Sequence, residues 1–560
     1  MFPKKELAQL VVSACHQFNI DTVVISPGSR NAPLTVGFSN HPTIEALSVV
    51  DERCAAFFAM GIAQQKQKPV AIVCSSGSAL LNYYPAISEA FYSNIPLVVI
   101  SADRPKHLID IGDGQTIRQE NVFENHILFS ANLIEKESQL KKNTDLLVKA
   151  LQVSINQKGP VHINVPFDEP LYETVDDLYP VIVNKVKQSF DKSNVISSEV
   201  EKSDEGYNKL FSIWNSSTKK MILVGSNFPD VKLQKILDTY AEDTSVLVLT
   251  ETTSNIYHPK FINSIDKLIS KLTEEEYKEL QPEVLITLGG MVISKRIKQF
   301  LRRLQPKHHW HVDELKAMNT YHCLSEFVQT NPVTFLRILF DKKKDVQSDY
   351  QTRWLRVKGI RTIKHEVYLK NCEYSDLKSF EAILDSIPDN SQVQISNSSI
   401  IRYSQLFDMN STLQVFCNRG TSGIDGSTST AIGAAFNSKN QTIFITGDLS
   451  FFYDSNALWN TNIPKDFRII ILNNAGGGIF RYIPGPLTTN ATEYFETPHG
   501  LTAAYLSKMY GFEYVQIKDL KSLQNNLTSF YLESNQPKIM EVFTPKEIND
   551  VVLKNYFKNL

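Results

Sequence analysis

Two segments in the last third of the chain carry oxygen ligands at a spacing that suits a divalent cation. A β-branched run at 442–446 ends in Gly447-Asp448, and a second at 468–472 ends in Asn473-Asn474, followed by Ala475-Gly476-Gly477-Gly478. The 26 residues from Asp448 to Asn474 leave room for one helical crossover, which would bring both side chains to one edge of a parallel sheet. A carboxylate (Asp448), an amide oxygen (Asn474) and a freed backbone carbonyl (Gly476) are hard ligands of the kind Mg²⁺ or Mn²⁺ takes alongside phosphate oxygens. The glycines let backbone approach a phosphate closely. The same residues also read as a turn-forming Asp and an Asn-Gly loop.

Three further constellations have a chemical and a plain reading. Gly28-Ser29-Arg30 follows an apolar run at 22–26, and with Pro33 it also reads as an ordinary helix start. Asp51-Glu52-Arg53 places acids where a helix begins, where they would also complement its dipole. Residues 418–426 read Asn-Arg-Gly-Thr-Ser-Gly-Ile-Asp-Gly, three glycines around one Ile424, either a shaped loop or a simple turn. His308-His309-Trp310-His311 suggests zinc, but no Cys or spaced His partner accompanies it, and His309 and His311 would share one strand face.

The elements that must position these residues follow from periodicity. Short β-branched runs at 22–26, 70–74, 96–100 and 161–165 alternate with helical stretches, which predicts a parallel sheet covered on both faces. A second set of strands is expected at 221–225, 246–249 and 284–288, and a third at 414–416, 442–446 and 468–472. Polar, charged stretches at 185–206 and around 342–345 read as connections. The expected architecture is α/β, with three doubly wound parallel-sheet domains at 1–184, 207–341 and 355–560. The first and third share the same strand–loop–helix grammar.

Composition narrows the function classes. The chain has 560 residues, 58 Lys plus Arg against 60 Asp plus Glu, and a net charge of −2. Such a chain has no global field for nucleic acid or an anionic membrane. No run of apolar residues is long enough to span a bilayer, and no signal-peptide core is expected. The six cysteines form no CxxC pair, so they read as reduced core thiols of a cytoplasmic protein.

Glu52, the Asp448 and Asn473-Asn474 pair, and the three-domain plan together resemble the thiamine-diphosphate-dependent 2-oxo-acid enzymes. Ser26-Pro27-Gly28-Ser29-Arg30, Asp51-Glu52-Arg53, Ala102-Asp103-Arg104-Pro105, the run Gln115-Thr116-Ile117-Arg118-Gln119 and residues 418–426 narrow the resemblance to that family's menaquinone-pathway synthases. The middle domain carries it only around Lys295-Arg296. The chain departs from the general family pattern at Leu449, where Gly is usual, and at Ala475, where a third Asn is common.

The resemblance implies thiamine diphosphate with Mg²⁺ or Mn²⁺, held by Asp448, Asn474 and Gly476, in two of the three domains. It implies cofactor contacts from Glu52, Ser76, Gly77, Ser422, Ile424, Gly447, Asp448, Leu449, Asn474, Gly477, Ile479 and Phe480. Glu52 would share a proton with the aminopyrimidine ring, and Ile424 would keep the cofactor bent. The implied reaction is decarboxylation of 2-oxoglutarate and addition of the remaining succinyl unit to isochorismate. Arg30 and Gln115 join Glu52 as implied catalytic residues. Ser29, Arg30, Arg104 and Gln115 would serve isochorismate, and Asn397, Ser398 and Arg402 the succinyl carboxylate. Arg296 and Arg419 would add positive charge, with Ile479 and Phe480 as an apolar wall. The family also implies a homodimer, or a dimer of dimers, with the site at the subunit interface.

Two other classes compete. An acetolactate synthase or a 2-oxo-acid decarboxylase would need a dinucleotide fingerprint in the middle domain or an adjacent His pair in the first, and the chain has neither. A non-catalytic binding module would be expected to lose one of Glu52, Asp448 and Asn474.

Overall fold

The computed structural model describes residues 1–178, 204–482 and 485–560. The end of the first domain at 184 and all but the last three residues of the connection at 185–206 lie outside them. The structure contains three separate parallel sheets. The first holds the strands Thr22–Ile25, Glu45–Ser48, Val70–Cys74, Leu97–Asp103, Phe129–Asn132 and Val161–Pro166. Counted in chain order these lie 2-1-3-4-6-5 across the sheet. The third sheet holds Gln392–Ile395, Gln414–Phe416, Thr442–Gly447, Arg468–Asn473, Glu513–Ile517 and Lys538–Phe543, again in the order 2-1-3-4-6-5. The middle sheet, of five strands, runs 2-1-3-4-5. In each sheet the direction of winding reverses between the first and third strands. Loops leaving those two strands at their carboxyl ends therefore frame a crevice.

The cores show how the domains are joined. Separate apolar clusters cover the two faces of the middle sheet. One face each of the first and third sheets has its own cluster. The fifth cluster crosses between the first and third domains, taking in Phe57, Phe58 and Met60 as well as Ala431, Ile432, Phe444 and Phe451. It is built where the helix Glu52–Lys66 lies against the helix Ser427–Asn437. The helices touch backbone to backbone: a Cβ on Gly61 would fall 2.1 Å from the Thr430 carbonyl oxygen, and one on Gly433 2.0 Å from that of Phe58. Each fully buried Phe there contributes about 1.5–3 kcal/mol.

The helix Tyr350–Asn371 ties the middle and third domains. Its Tyr350 and Trp354 belong to the middle core and its Leu369 to the third. The boundary expected at 355 thus falls within a continuous helix. In the middle sheet the crevice at the reversal point is filled by its own loops. Gly290 N–H donates to the Ser226 carbonyl at 2.7 Å, and a Cβ on Gly225 would sit 2.0 Å from the Gly290 oxygen.

Candidate active site

The third domain brings together Asp448, Asn474 and Gly476. Asp448 opens the helix Asp448–Tyr453 directly after its strand and is 3% exposed. One carboxylate oxygen accepts from the Leu449 N–H at 2.7 Å and the other from the Gly476 N–H at 3.0 Å. His499 Nε2 lies 3.3 Å from that second oxygen. Gly476 has φ +144°, which an L side chain rarely adopts, and a Cβ there would meet the Glu496 carbonyl. The Asn474 side-chain nitrogen donates to Asp376 at 2.8 Å, whereas its oxygen is buried without a hydrogen-bond partner. A buried acceptor beside a carboxylate, with no donor of its own, is what a cation ligand presents before the cation is counted. The donor set therefore fits Mg²⁺ or Mn²⁺.

Around this centre, the 418–426 loop is pinned in an irregular path. Asn397 Nδ2 donates to the carbonyls of Asn418 and Gly423, both at 2.7 Å, while its oxygen accepts from Arg419 at 2.7 Å. The Ile424 carbonyl accepts from Ser450 Oγ at 2.8 Å. Ser398 and Ser422 hold left-handed backbone, with φ +70° and +61°. Arg402 lies in the helix Ser399–Ser404, whose Ser399 accepts from Tyr482 OH at 2.8 Å. Arg296 stacks on Phe557 at 4.5 Å. Burial pushes the Asp266 carboxyl up, and Ser294, Arg296 and Arg402 oppose that shift, so these two arginines face one acid across the domain junction. Ile479 is buried, and the Phe480 ring packs on Phe495 at 5.0 Å.

The first domain assembles a second group at its own reversal point. Arg30 is 5% exposed and donates to the Phe167 carbonyl at 2.9 Å and to Glu169 at 3.0 Å. Gln115 Nε2 donates to the Ser76 carbonyl at 3.3 Å, and Ser76 Oγ donates to the Gln115 carbonyl at 2.9 Å. The Gly77 N–H donates to Gln119 at 2.8 Å. Arg104 reaches the Gly114 carbonyl at 3.3 Å. Asp51 caps its helix by accepting the Cys54 N–H at 3.1 Å, as the plain reading of that motif requires. That leaves Glu52, the first helical residue, free of capping, and it accepts from Asn82 at 3.2 Å.

Among the described residues no hydrogen bond or ion pair joins Glu52, Ser76, Gly77 or Gln115 to Ile424, Asp448, Asn474 or Ile479. The neighbours of Glu52 instead meet the far end of the Asp448 helix. Arg53 donates to the Tyr453 carbonyl at 3.0 Å, and Asn456 donates to Asp51 at 2.9 Å. Glu89 ties the domains at the glycine loop, accepting from the Gly420 and Thr421 N–H groups, both at 2.6 Å.

Sequence reasoning missed Asp376, Glu89, Gln119, Asn82 and His499. Glu89 had a signal, a lone acid inside the apolar helix Tyr84–Ser93, whereas Asp376 looked like any acid in a first helical turn. His309 and His311 do share a face of the strand His308–Val312, and both bond the Thr287 hydroxyl at 2.9 Å.

Family models match in chain order. They are the N-terminal thiamine pyrophosphate-binding domain of thiamine pyrophosphate enzymes over residues 5–128, their middle domain over 193–393, and their C-terminal thiamine pyrophosphate-binding domain over 397–542. Among curated proteins, the 2-succinyl-5-enolpyruvyl-6-hydroxy-3-cyclohexene-1-carboxylate synthase of Flavobacterium johnsoniae is 54% identical over 567 residues, covering 100% of both chains. Its counterpart in Flavobacterium psychrophilum is also 54% identical, over 561 residues and 100% of both. That of Bacteroides thetaiotaomicron is 36% identical, covering 100% of this chain and 99% of its own. The chain belongs to this synthase family. Full-length coverage places all three sheets inside the family's own domain plan. Asp448, Asn474 and Gly476 lie in the part matched by the C-terminal cofactor-binding model, and Glu52 in the part matched by the N-terminal one.

Proposed function

We propose that this chain is a thiamine-diphosphate-dependent transferase of menaquinone biosynthesis. It decarboxylates 2-oxoglutarate and joins the remaining four-carbon succinyl unit to isochorismate, giving 2-succinyl-5-enolpyruvyl-6-hydroxy-3-cyclohexene-1-carboxylate. The observation that carries this reading is the buried, unpartnered Asn474 oxygen two residues before Gly476, whose N–H bonds Asp448, in a chain 54% identical to such a synthase over its full length.

In this reading Asp448, Asn474 and the Gly476 carbonyl hold Mg²⁺ or Mn²⁺, and through it the cofactor diphosphate. Gly447, Leu449, Gly477, Ser422, Ser76 and Gly77 shape the walls around the cofactor, and Ile424 props its bend. Thiamine diphosphate, when bound, supplies a nucleophilic carbon and the electron sink for decarboxylation. Glu52 holds a proton at the aminopyrimidine ring nitrogen, and Asn82 keeps its carboxylate aimed. Arg402 and Ser398 receive the distal carboxylate of 2-oxoglutarate, and Asn397, its amide spent on the 418–426 loop, shapes the wall beside them. Arg30, Ser29, Arg104 and Gln115 receive isochorismate, with Arg296 and Arg419 as further cations and Ile479 and Phe480 excluding water. Guanidinium groups suit substrates that carry two carboxylates each.

The first two domains run 1–184 and 207–341, the third begins within the helix Tyr350–Asn371 that joins it to the middle domain, and the enzyme works in the cytoplasm. Among the described residues no helix is long and apolar enough to cross a membrane. The family resemblance supports a homodimer, or a dimer of dimers, in which the Glu52 group of one subunit meets the Asp448 group of its partner. Mixed subunits test this. Glu52→Gln and Asp448→Ala homodimers are each nearly inactive. A heterodimer gathers both lesions in one site, and random mixing restores about a quarter of wild-type activity. Sites built within one chain would give no recovery.

The acetolactate-synthase alternative is disfavoured by the middle domain, where the Gly225 and Gly290 backbones fill the crevice a dinucleotide would need. The direct assay is CO₂ release from 2-oxoglutarate with and without isochorismate. Product formation that requires both supports the proposal. Turnover of pyruvate, or none at all, overturns it.

A further inference from the structure

The Asn474 amide has two ends that a cation must tell apart. Turned one way it offers an oxygen to the metal, and turned the other it offers two N–H donors, which repel it. Nothing in the side chain's own torsion chooses between them, because that terminal torsion is broad and roughly two-fold. The choice is made by what lies behind the amide. There the Asp376 carboxylate, 2% exposed, accepts from Asn474 Nδ2 at 2.8 Å. Asp376 is itself held on every side. Its other oxygen accepts from Thr544 Oγ1 at 2.5 Å, and its backbone N–H donates to Asn549 Oδ1 at 2.8 Å. Its helix, Asp376–Ser386, is capped by the Ser375 side chain. Asp376 lies 98 residues before Asn474, on a different element from either ligand.

We propose that Asp376 is a positioning residue that fixes the Asn474 amide with its nitrogen toward the acid and its oxygen free for a cation, so that the cation site is preset before metal or cofactor arrives. A carboxylate only accepts hydrogen bonds, so it must face the nitrogen end, and the oxygen end is left buried and unpaired toward the cation. Thr544 and Asn549 stop the carboxylate from turning away. The inference rests on the reading of Asp448 and Asn474 as metal ligands, and Asp448→Ala separates the two.

The experiment titrates Mn²⁺ into the full-length protein with thiamine diphosphate present and follows the free Mn²⁺ signal by electron paramagnetic resonance. Thermal unfolding without metal serves as the folding control. Asp376→Ala weakens Mn²⁺ binding by about tenfold or more, equivalent to about 1.4 kcal/mol. Asp376→Asn stays near wild type, since it can turn its own oxygen to Asn474 and its nitrogen to the Thr544 oxygen. The decisive pair reverses the polarity. Asn474→Asp alone sets two carboxylates face to face and weakens binding, although it adds a negative charge to the site. Adding Asp376→Asn supplies a donor behind the new carboxylate and restores binding, an outcome that a merely structural role for Asp376 would not produce. If Asp376→Ala does not fold, this pair decides alone. Wild-type affinity in a folded Asp376→Ala protein overturns the inference, as does a double variant no tighter than Asn474→Asp. Wild-type Mn²⁺ binding by Asp448→Ala would instead overturn the metal site itself.

Discussion

The first and third domains share one strand order, 2-1-3-4-6-5, and present their loops at the same reversal point, yet they carry opposite chemistry. The third domain offers oxygens there: Asp448, Asn474 and the glycine backbone after it. The first offers donors, Arg30, Gln115 and the Gly77 loop, with Glu52 set to one side on a helix start. The backbone plan thus decides where a ligand can lie, and the loop residues decide which part of it. In the third domain the loops are stapled by side chains of other elements, such as Asn397 and Asp376. In the first they are held largely by one another, as in the reciprocal Ser76–Gln115 pair.

The sharpest way to break the comparison is to remove the acid of the third domain. Asp448→Ala should weaken Mg²⁺-dependent cofactor binding by roughly a thousandfold, about 4 kcal/mol, read by calorimetry. The equivalent cut in the first domain should look different. Glu52→Gln should fold and retain cofactor, while hydrogen–deuterium exchange at the cofactor's reactive carbon slows by about two to four decades. Comparable loss of affinity in both variants would erase the division of labour.

The substrate arginines sharpen the same contrast. Arg402→Ala should raise KM for 2-oxoglutarate more than that for isochorismate, through a charged hydrogen bond worth about 1.5–3 kcal/mol. Arg30→Ala should show the reverse, and steady-state kinetics with each substrate varied in turn would expose equal effects. A test of the seam between the domains follows. Gly61→Ala should cost about 1–3 kcal/mol by overpacking and lower thermal stability, with any effect on cofactor binding secondary to that loss.

A separate check lies in pH dependence. Burial depresses His162 to about 3, and His309 and His365 to about 4. Each prefers the neutral form when folded, so its contribution is complete above pH 6.5 and is lost as pH falls toward those values. Burial raises Glu251 to about 7, which acts in the other direction as pH climbs from about 4.5 to 7. Chemical unfolding of His162→Phe across this range should show a shallower acid limb than wild type.

Central strands made of continuous β-branched runs were readable from the sequence, as in Val70–Cys74 and Arg468–Asn473, whereas Gln392–Ile395 and Lys538–Phe543, equally central, were not, because glutamines and charged residues interrupt them. The edge strands Glu45–Ser48 and Glu513–Ile517 were not, since a half-exposed strand mixes polar residues and loses that signature, while the apolar edge strand Val246–Leu249 kept it. The Asp448 and Asn474 pair was visible because both follow strands at a crossover spacing. Asp376 was not, because its role exists only through a contact 98 residues away. Glu52 was visible as an acid at a helix start, but only the fold shows that Asp51 does the capping and leaves Glu52 for other work.

The seam between the Gly61 and Gly433 helices also constrains the order of synthesis. Gly61 precedes Thr430 by 369 residues, so the partner surface for Phe57, Phe58 and Met60 is made long after they are. At about 5–20 residues per second the ribosome needs about 20–75 seconds to deliver it. During that interval the first domain emerges with one helix face uncovered, and the middle domain is translated in between. Until then that apolar face lies open, the kind of transiently exposed surface through which incomplete chains associate.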